Sequence, residues 1–174
     1  MGRLDQGVAA SSERYHVVPR TLSFITHGED VLLLRGASDK RIWPNRYNGV
    51  GGHVERDEDV LTAAVREMQE ETGLQVRGVR LRGVVHIDVG EAQMGILLFV
   101  FTAQATERQL SSSREGTLEW VPRERLLSLD LVEDLPLILP RVLSMAADEP
   151  PFFAHYDYDE NDALIVTLAC HSTT

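Results

Sequence analysis

The alternation of apolar and polar positions changes period several times along the chain, and each change marks an element. From Tyr15 to Ile25, β-branched and aromatic residues predict a strand, beginning in earnest only after Pro19, which cannot donate to a ladder. His27-Gly28-Glu29-Asp30 has turn composition and leads into the short apolar run Val31-Leu32-Leu33-Leu34, so a hairpin is expected. Arg35 to Arg46 reads as a loop of mixed charge around Trp43-Pro44, and Tyr47 to Val54 as a further strand. The period then becomes helical. Leu61, Ala64, Val65 and Met68 fall on one stripe, Asp59 is an N-cap candidate and Gly73 a C-terminal stop, which predicts a helix over about 60–72. Strand-like runs follow at Val79–Val89 and Ile96–Ala103 around Gly90-Glu91-Ala92, then a polar loop from Thr106 to Arg114 and a short strand over Thr117–Val121. Pro122 opens a helical turn through Leu127, and Leu131 to Met145 reads as a helix shortened or broken by Pro136 and Pro140. Phe152–Tyr158 and Ala163–Leu168 flank an acidic turn and predict a terminal hairpin. With no repeats and no linker, the order predicts a polar tail over 1–13 and one α/β domain over 14–174, built on a mixed sheet.

Composition narrows the class. Seventeen basic against 27 acidic residues leave a net charge of −10, which gives no net attraction to the phosphates of a nucleic-acid polymer. An acidic protein binds small polyphosphates only with cations between the two sets of oxygens. The one cysteine, Cys170, excludes an internal disulfide and fits a reducing compartment. No apolar run is long enough for a membrane span, and the start MGRLDQGVAASSER lacks the apolar segment of a signal peptide; the Met-Gly start alone does not argue for myristoylation. The expectation is a cytoplasmic globular protein with no membrane and no nucleic-acid polymer as partner, as a monomer or homodimer.

The stretch Gly51–Leu74, GGHVERDEDVLTAAVREMQEETGL, carries the densest chemistry. Glu67, Glu70 and Glu71 are related as i, i+3 and i+4, so their carboxylates share a helical face beside the apolar stripe. Three like charges repel unless a cation sits among them, and hard carboxylate oxygens suit Mg²⁺, with Mn²⁺ also possible. Arg66 and the basic residues Lys40, Arg41 and Arg46 are placed to orient carboxylates or meet phosphates. A solvated, charge-rich helix end is the alternative reading of the same spacing.

Gly52, then Glu58, then Arg66-Glu67-Met68-Gln69-Glu70-Glu71-Thr72-Gly73-Leu74 resembles the Nudix box at every defining position. The order of elements around it is similar to a Nudix domain, an α/β/α sandwich with a mixed sheet. The resemblance implies Mg²⁺-dependent hydrolysis of a nucleoside diphosphate linked to another group. It implies metal binding by Glu67, Glu70, Glu71 and the Gly51 carbonyl. Glu58 and Arg66 become orienting residues, and Gly52, Glu58 and Gly73 structural positions of the box. Glu115, in the loop before Trp120, matches a functional glutamate of the oxidised-purine triphosphatases of the family, as a catalytic or further metal-binding group. Glu70, Glu71 and Glu115 are the candidates for general base.

Other segments resemble the same subfamily. Arg46-Tyr47-Asn48-Gly49-Val50-Gly51-Gly52 is similar to a lead-in whose asparagine contacts the base, and Glu133-Asp134 matches an acidic pair that reads the purine edge; helix N-terminal acidity is the plainer account of that pair. The pattern departs at Leu131-Val132, where the subfamily carries a stacking tryptophan, and at Ile87 and Val89, where it carries pocket aromatics; Trp43 or Tyr47 is left to supply stacking. The substrate-binding set expected is Asn48, Leu131, Glu133, Asp134, Lys40 and Arg41. The leading expectation is hydrolysis of a modified purine nucleoside triphosphate, such as 8-oxo-dGTP, to monophosphate and pyrophosphate. The alternatives are a hydrolase of ADP-ribose, another nucleotide sugar or a dinucleoside polyphosphate, and a non-catalytic ligand sensor. His53 and His86 show no ligand spacing and read as structural or surface residues.

Overall fold

The computed structural model describes residues 14–111, 113 and 115–169, so the expectations for the tail 1–13 and for Cys170 lie outside the described residues. The elements are β1 (His16–His27), β2 (Asp30–Gly36), β3 (Tyr47–Asn48), α1 (Val60–Thr72), β4 (Val76–Glu91), β5 (Met94–Ala105), β6 (Gly116–Pro122), a 3₁₀ helix (Arg123–Ser128), α2 (Leu135–Ser144), β7 (Phe152–Tyr158) and β8 (Leu164–Leu168). The strands form one sheet in the order β3-β2-β1-β5-β4-β7-β8, with β6 paired to β2. The β1–β5 and β4–β7 pairs are parallel and the remaining pairs antiparallel, so the sheet is mixed as expected.

The apolar runs in β1 and β2 are continuous because both faces of the sheet are covered. Phe24 and Leu33 face α2, packing with Leu135, Ile138, Leu139, Val142, Val85, Phe152 and Tyr156. Ile25 and Leu32 face α1, packing with Ala64, Met68, Phe101 and Ala103. Two cores on opposite faces of one sheet make the α/β/α sandwich. No helix among the described residues is long and apolar enough to cross a membrane.

Four local expectations change. β1 begins at His16 and runs through Pro19, whose carbonyl still accepts from Val54 N at 3.1 Å, so the missing N–H removes only one bond at the end of that pairing. Tyr47–Val54 is not a continuous strand. Only Tyr47–Asn48 pairs regularly with β2, after which the chain crosses to β1 through single bridges at Ser23↔Val50 and Arg20↔His53. β4 and β5 extend to Glu91 and Met94, and Gly90, at φ 77, absorbs a register shift in the ladder instead of closing the turn. α2 begins at Leu135, with Pro136 in its first turn and Pro140 within it.

A fifth correction matters most for the site. The predicted stripe of α1 is rotated: Ala63, Ala64, Met68 and Thr72 are buried, whereas Leu61 and Val65 are 48% and 39% exposed. Two alanines let the helix lie close against the sheet, and the larger Leu61 and Val65 are left at the open side. The same rotation carries Glu67 and Glu71, one and two turns beyond Ala63, toward the sheet.

Asp59 caps α1 through Oδ1, which accepts from Leu61 N at 2.9 Å and Thr62 N at 3.0 Å, and these bonds hold its carboxyl below the usual range. Gly73 ends the helix in the left-handed region at φ 74. Asp59→Ala is expected to lower the midpoint of thermal unfolding by roughly 2–4 °C in a chain of this size; the check is calorimetry at neutral pH.

Candidate active site

The box begins where the chain leaves β3 and lies along β1. Thr21 N donates to the Gly52 carbonyl at 2.8 Å and Ser23 N to that of Val50 at 2.7 Å. This approach needs glycine at both positions. A Cβ at Gly51 would come within 2.1 Å of the Thr21 carbonyl oxygen, and one at Gly52 would meet the Glu67 carboxylate at 2.3 Å. Gly52 therefore makes room for Glu67 to reach the loop.

Arg66 ties the loop to the helix. Its Nε and Nη2 bond both oxygens of Glu58 at 3.0 and 2.6 Å, Nη2 also donates to the His53 carbonyl at 3.1 Å, and Nη1 meets Glu67 at 2.9 Å and Glu70 at 3.2 Å. Glu58 in turn accepts from Glu55 N at 2.9 Å, closing the acidic turn. These partners lower the Glu58 carboxyl and raise Arg66 further beyond its already high range.

Glu71 is the group left over. Its Oε2 is buried with no hydrogen-bond partner. Burial, and then the charges of Glu67 and Glu115, push its carboxyl up to about 7, against smaller lowering effects from Lys40 and from a hydrogen bond with the Gly51 backbone. A buried carboxylate oxygen with two like charges nearby and no donor fits a cation. Among the described residues no three acidic or imidazole side chains close into a ready-made ligand cage, and no donor takes the Gly51 carbonyl. The donors suit a hard cation that keeps part of its water shell, held by a few protein oxygens.

Of the other expected residues, Glu70 diverges from Glu67 and Glu71: its side chain is 60% exposed, bonded only to Arg66. Glu115, 52% exposed, is ion-paired to Lys40, so Lys40 reaches the acidic cluster. Arg41 is exposed. On the other side of β3, the segment carrying Leu131, Glu133 and Asp134 is bound to Tyr47, while the Asn48 Oδ1 that follows accepts from Gly49 N at 2.8 Å. Tyr47 bridges Leu131, Tyr47 N donates to the Asp130 carbonyl at 2.9 Å, and Val132 N donates to the Tyr47 carbonyl at 3.0 Å. Within that segment Leu131 is only 7% exposed and packs in the α2-side core, while Glu133 pairs with Arg46 at 2.8 Å. Asp134 is raised chiefly by its burial. Tyr156 and Tyr158, which sequence reasoning passed over, stand beside this acid pair. The Tyr156 hydroxyl is buried next to Asp134 with no partner at ordinary hydrogen-bond geometry, and Tyr158 is raised by its burial first and then by the charges of Glu133 and Asp134. The strict in–out alternation of β7 was the one signal for Tyr156.

A sheet sandwiched between helices, with an arginine-strutted acidic helix facing a glycine loop, is an arrangement able to hold a hard cation against phosphate oxygens. A NUDIX domain model matches residues 17–142, and the chain belongs to the Nudix family and is a Nudix hydrolase. Oxidized purine nucleoside triphosphate hydrolase from Mus musculus is 25% identical over 146 residues, covering 83% of this chain and 89% of that protein. Nucleoside triphosphatase NudI from Enterobacter sp. (strain 638) is 30% identical over 112 residues, 59% of this chain and 79% of the relative. An m7GpppN-mRNA hydrolase from Xenopus laevis is 49% identical, but over 49 residues that make up 17% of its length. Among solved structures, a MutT protein from Bacillus halodurans superposes with a TM-score of 0.73 at 26% identity, covering 87% of this chain and 97% of that one.

In chelator, the Glu71 carboxyl holds its proton to about 7 in the folded chain and to about 4.5 in the unfolded one. The unfolded state therefore loses that proton first as pH rises, and folded stability declines between those two values. Glu71→Gln is expected to flatten the decline and to raise the unfolding midpoint at pH 8 by on the order of 5 °C. Thermal melts in EDTA across pH 4–8 check this, and parallel curves for the two proteins would contradict it.

Proposed function

We propose that the protein hydrolyses modified purine nucleoside triphosphates, such as 8-oxo-dGTP, to the monophosphate and pyrophosphate with Mg²⁺, clearing them from a cytoplasmic nucleotide pool. The observation that carries the phosphorus chemistry is the buried, unpartnered Glu71 oxygen, on a carboxyl that feels the charges of Glu67 and Glu115, with Glu67 itself held by Arg66. In this reading Glu67, Glu71 and the Gly51 carbonyl hold the metal, with Glu70 or Glu115 completing the set. The cation held by these oxygens would supply charge neutralisation for the phosphates and would acidify a water for attack on phosphorus. Arg66 keeps Glu67 oriented and Glu58 locks Arg66, so the acidic helix face is preorganised before substrate arrives. Glu70 and Glu115 have the more open side chains, so either can take the proton of the attacking water. Lys40 balances Glu115 and reaches toward the polyphosphate.

The purine side of the reading is supported by the segment of Glu133 and Asp134 joining β3 through the Tyr47–Leu131 bridge, one residue from Asn48, so that an amide and two carboxyls with donors and acceptors for a base edge are carried on neighbouring backbone. It is supported too by the length of the match to the mouse oxidised-purine enzyme. A MutT-like neighbour with similar coverage points the same way. The excess of acids, 27 against 17 bases, disfavours a nucleic-acid polymer as substrate.

Hydrolysis of 8-oxo-dGTP and 2-hydroxy-dATP is expected to exceed that of dGTP, dATP and ADP-ribose in kcat/KM, with turnover lost in EDTA and restored by Mg²⁺. A panel read by release of pyrophosphate or phosphate decides the substrate, and preference for ADP-ribose would refute it. Glu71→Gln is expected to lower kcat by at least about 100-fold while the circular dichroism spectrum stays unchanged.

A further inference from the structure

A nucleobase held outside a helix of stacked bases needs an aromatic face, and few aromatics of this chain are available to supply one. Phe24, Phe101, Phe152 and Tyr156 are buried in the two cores, and Phe99 packs against one of them. Tyr15 is bonded to His86, away from the box. The Trp120 indole N–H donates to the Arg108 carbonyl at 3.0 Å, with the Arg108 guanidinium over its ring. Phe153 points outward from β7, whose inward residues line the α2-side core. Tyr47 is committed as well: its hydroxyl donates to Glu119 at 2.8 Å and Arg35 lies over its ring. Near the site this leaves Trp43 and Tyr158, 41% and 40% exposed.

Trp43 has a setting that Tyr158 lacks. It stands midway between Lys40 and Arg46 in the loop from β2 to β3. Lys40 is ion-paired to Glu115 on the acidic side of the site and Arg46 to Glu133 on the other. The loop is closed at its base by Gly36 N to the Arg46 carbonyl at 3.0 Å and Asn45 N to the Gly36 carbonyl at 3.1 Å. A Cβ at Gly36 would meet the Trp43 carbonyl at 2.8 Å, so the absence of a side chain there lets the loop fold this tightly. Trp43 and Asn45 lie at φ 52 and 61, a region that side-chain-bearing residues rarely adopt, and Trp43 does so directly before a proline. A large apolar ring held exposed on a doubly latched, strained loop is not serving the core.

We propose that Trp43 is the stacking platform for the base of the substrate. This rests on the nucleotide reading above and adds the residue that grips the base. Stacking is made equally in the ground and transition states, so it acts on KM and leaves kcat alone.

The test has two arms that fail separately. In the first, Trp120→Phe leaves Trp43 as the single tryptophan, and its emission is followed as dGMP or deoxyribose 5-phosphate is added in Mg²⁺. The proposal expects saturable quenching by dGMP and none by the baseless sugar phosphate; dGMP bound in equilibrium dialysis without quenching overturns it. In the second, the nucleotide that the wild-type enzyme turns over best is assayed with Trp43→Ala, Trp43→Phe and Tyr158→Ala. The expected result is KM raised about tenfold or more by Trp43→Ala with kcat within about threefold, and KM restored by Trp43→Phe. A KM rise with Tyr158→Ala and none with Trp43→Ala overturns the proposal. Should no nucleoside triphosphate be hydrolysed, the substrate reading falls, while the quenching arm still decides the role of Trp43.

Discussion

The site depends on one guanidinium. Arg66 holds Glu58, Glu67 and Glu70 and the carbonyl of His53 at once, joining the acidic turn, the helix and the glycine loop with one planar fork of donors. Without that positive charge, a run of carboxylates this dense at a helix-sheet junction would separate or take up protons. With it, Glu67 is oriented and partly neutralised, and the repulsion that remains is concentrated on Glu71, which is buried and has one oxygen without a donor. The negative charge gathered at Glu71 is therefore the part of the cluster that Arg66 does not offset.

The rest of the fold keeps the two sides of this strut in place. On one side the box loop is hydrogen-bonded along β1, a strand buried between two helices; on the other, α1 lies close to the sheet because Ala63 and Ala64 carry so little side chain. β3 is only two residues long, yet it ties the box to the segment that opens α2 through the Tyr47–Leu131 bridge. The acidic cluster and the Glu133-Asp134 pair thus stand on either side of one short piece of backbone. The loop that precedes it reaches both, with Lys40 on Glu115 and Arg46 on Glu133. In a chain of net charge −10, those two cations are spent at the edges of the acidic region.

Local patterns carried most of the secondary structure. Asp59, Gly73 and the helical stripe between them bounded α1 correctly, and the period-2 runs located the strands, because caps and alternation are decided within a few residues. The spacing of Gly52, Glu58, Arg66, Glu67, Glu70 and Glu71 was sufficient to identify the family. Ladder lengths were less legible: β1 tolerates Pro19, and β4 runs past Gly90, since pairing partners distant in sequence determine where a strand may continue.

The sequence by itself determined the reaction class, through residues whose types and intervals are tied together by a single helix and its entry loop. Only the tertiary structure decided which of the three glutamates is isolated. The periodicity of α1 allowed Leu61 and Val65 to be buried, and close packing of the alanines against the sheet rotated them outward, turning Glu67 and Glu71 in and leaving Glu70 in water. The partners of Lys40, Arg46 and Asp134 were likewise beyond reach of the sequence, because they lie across the sheet, and long-range contacts of that kind are set by topology rather than by local composition.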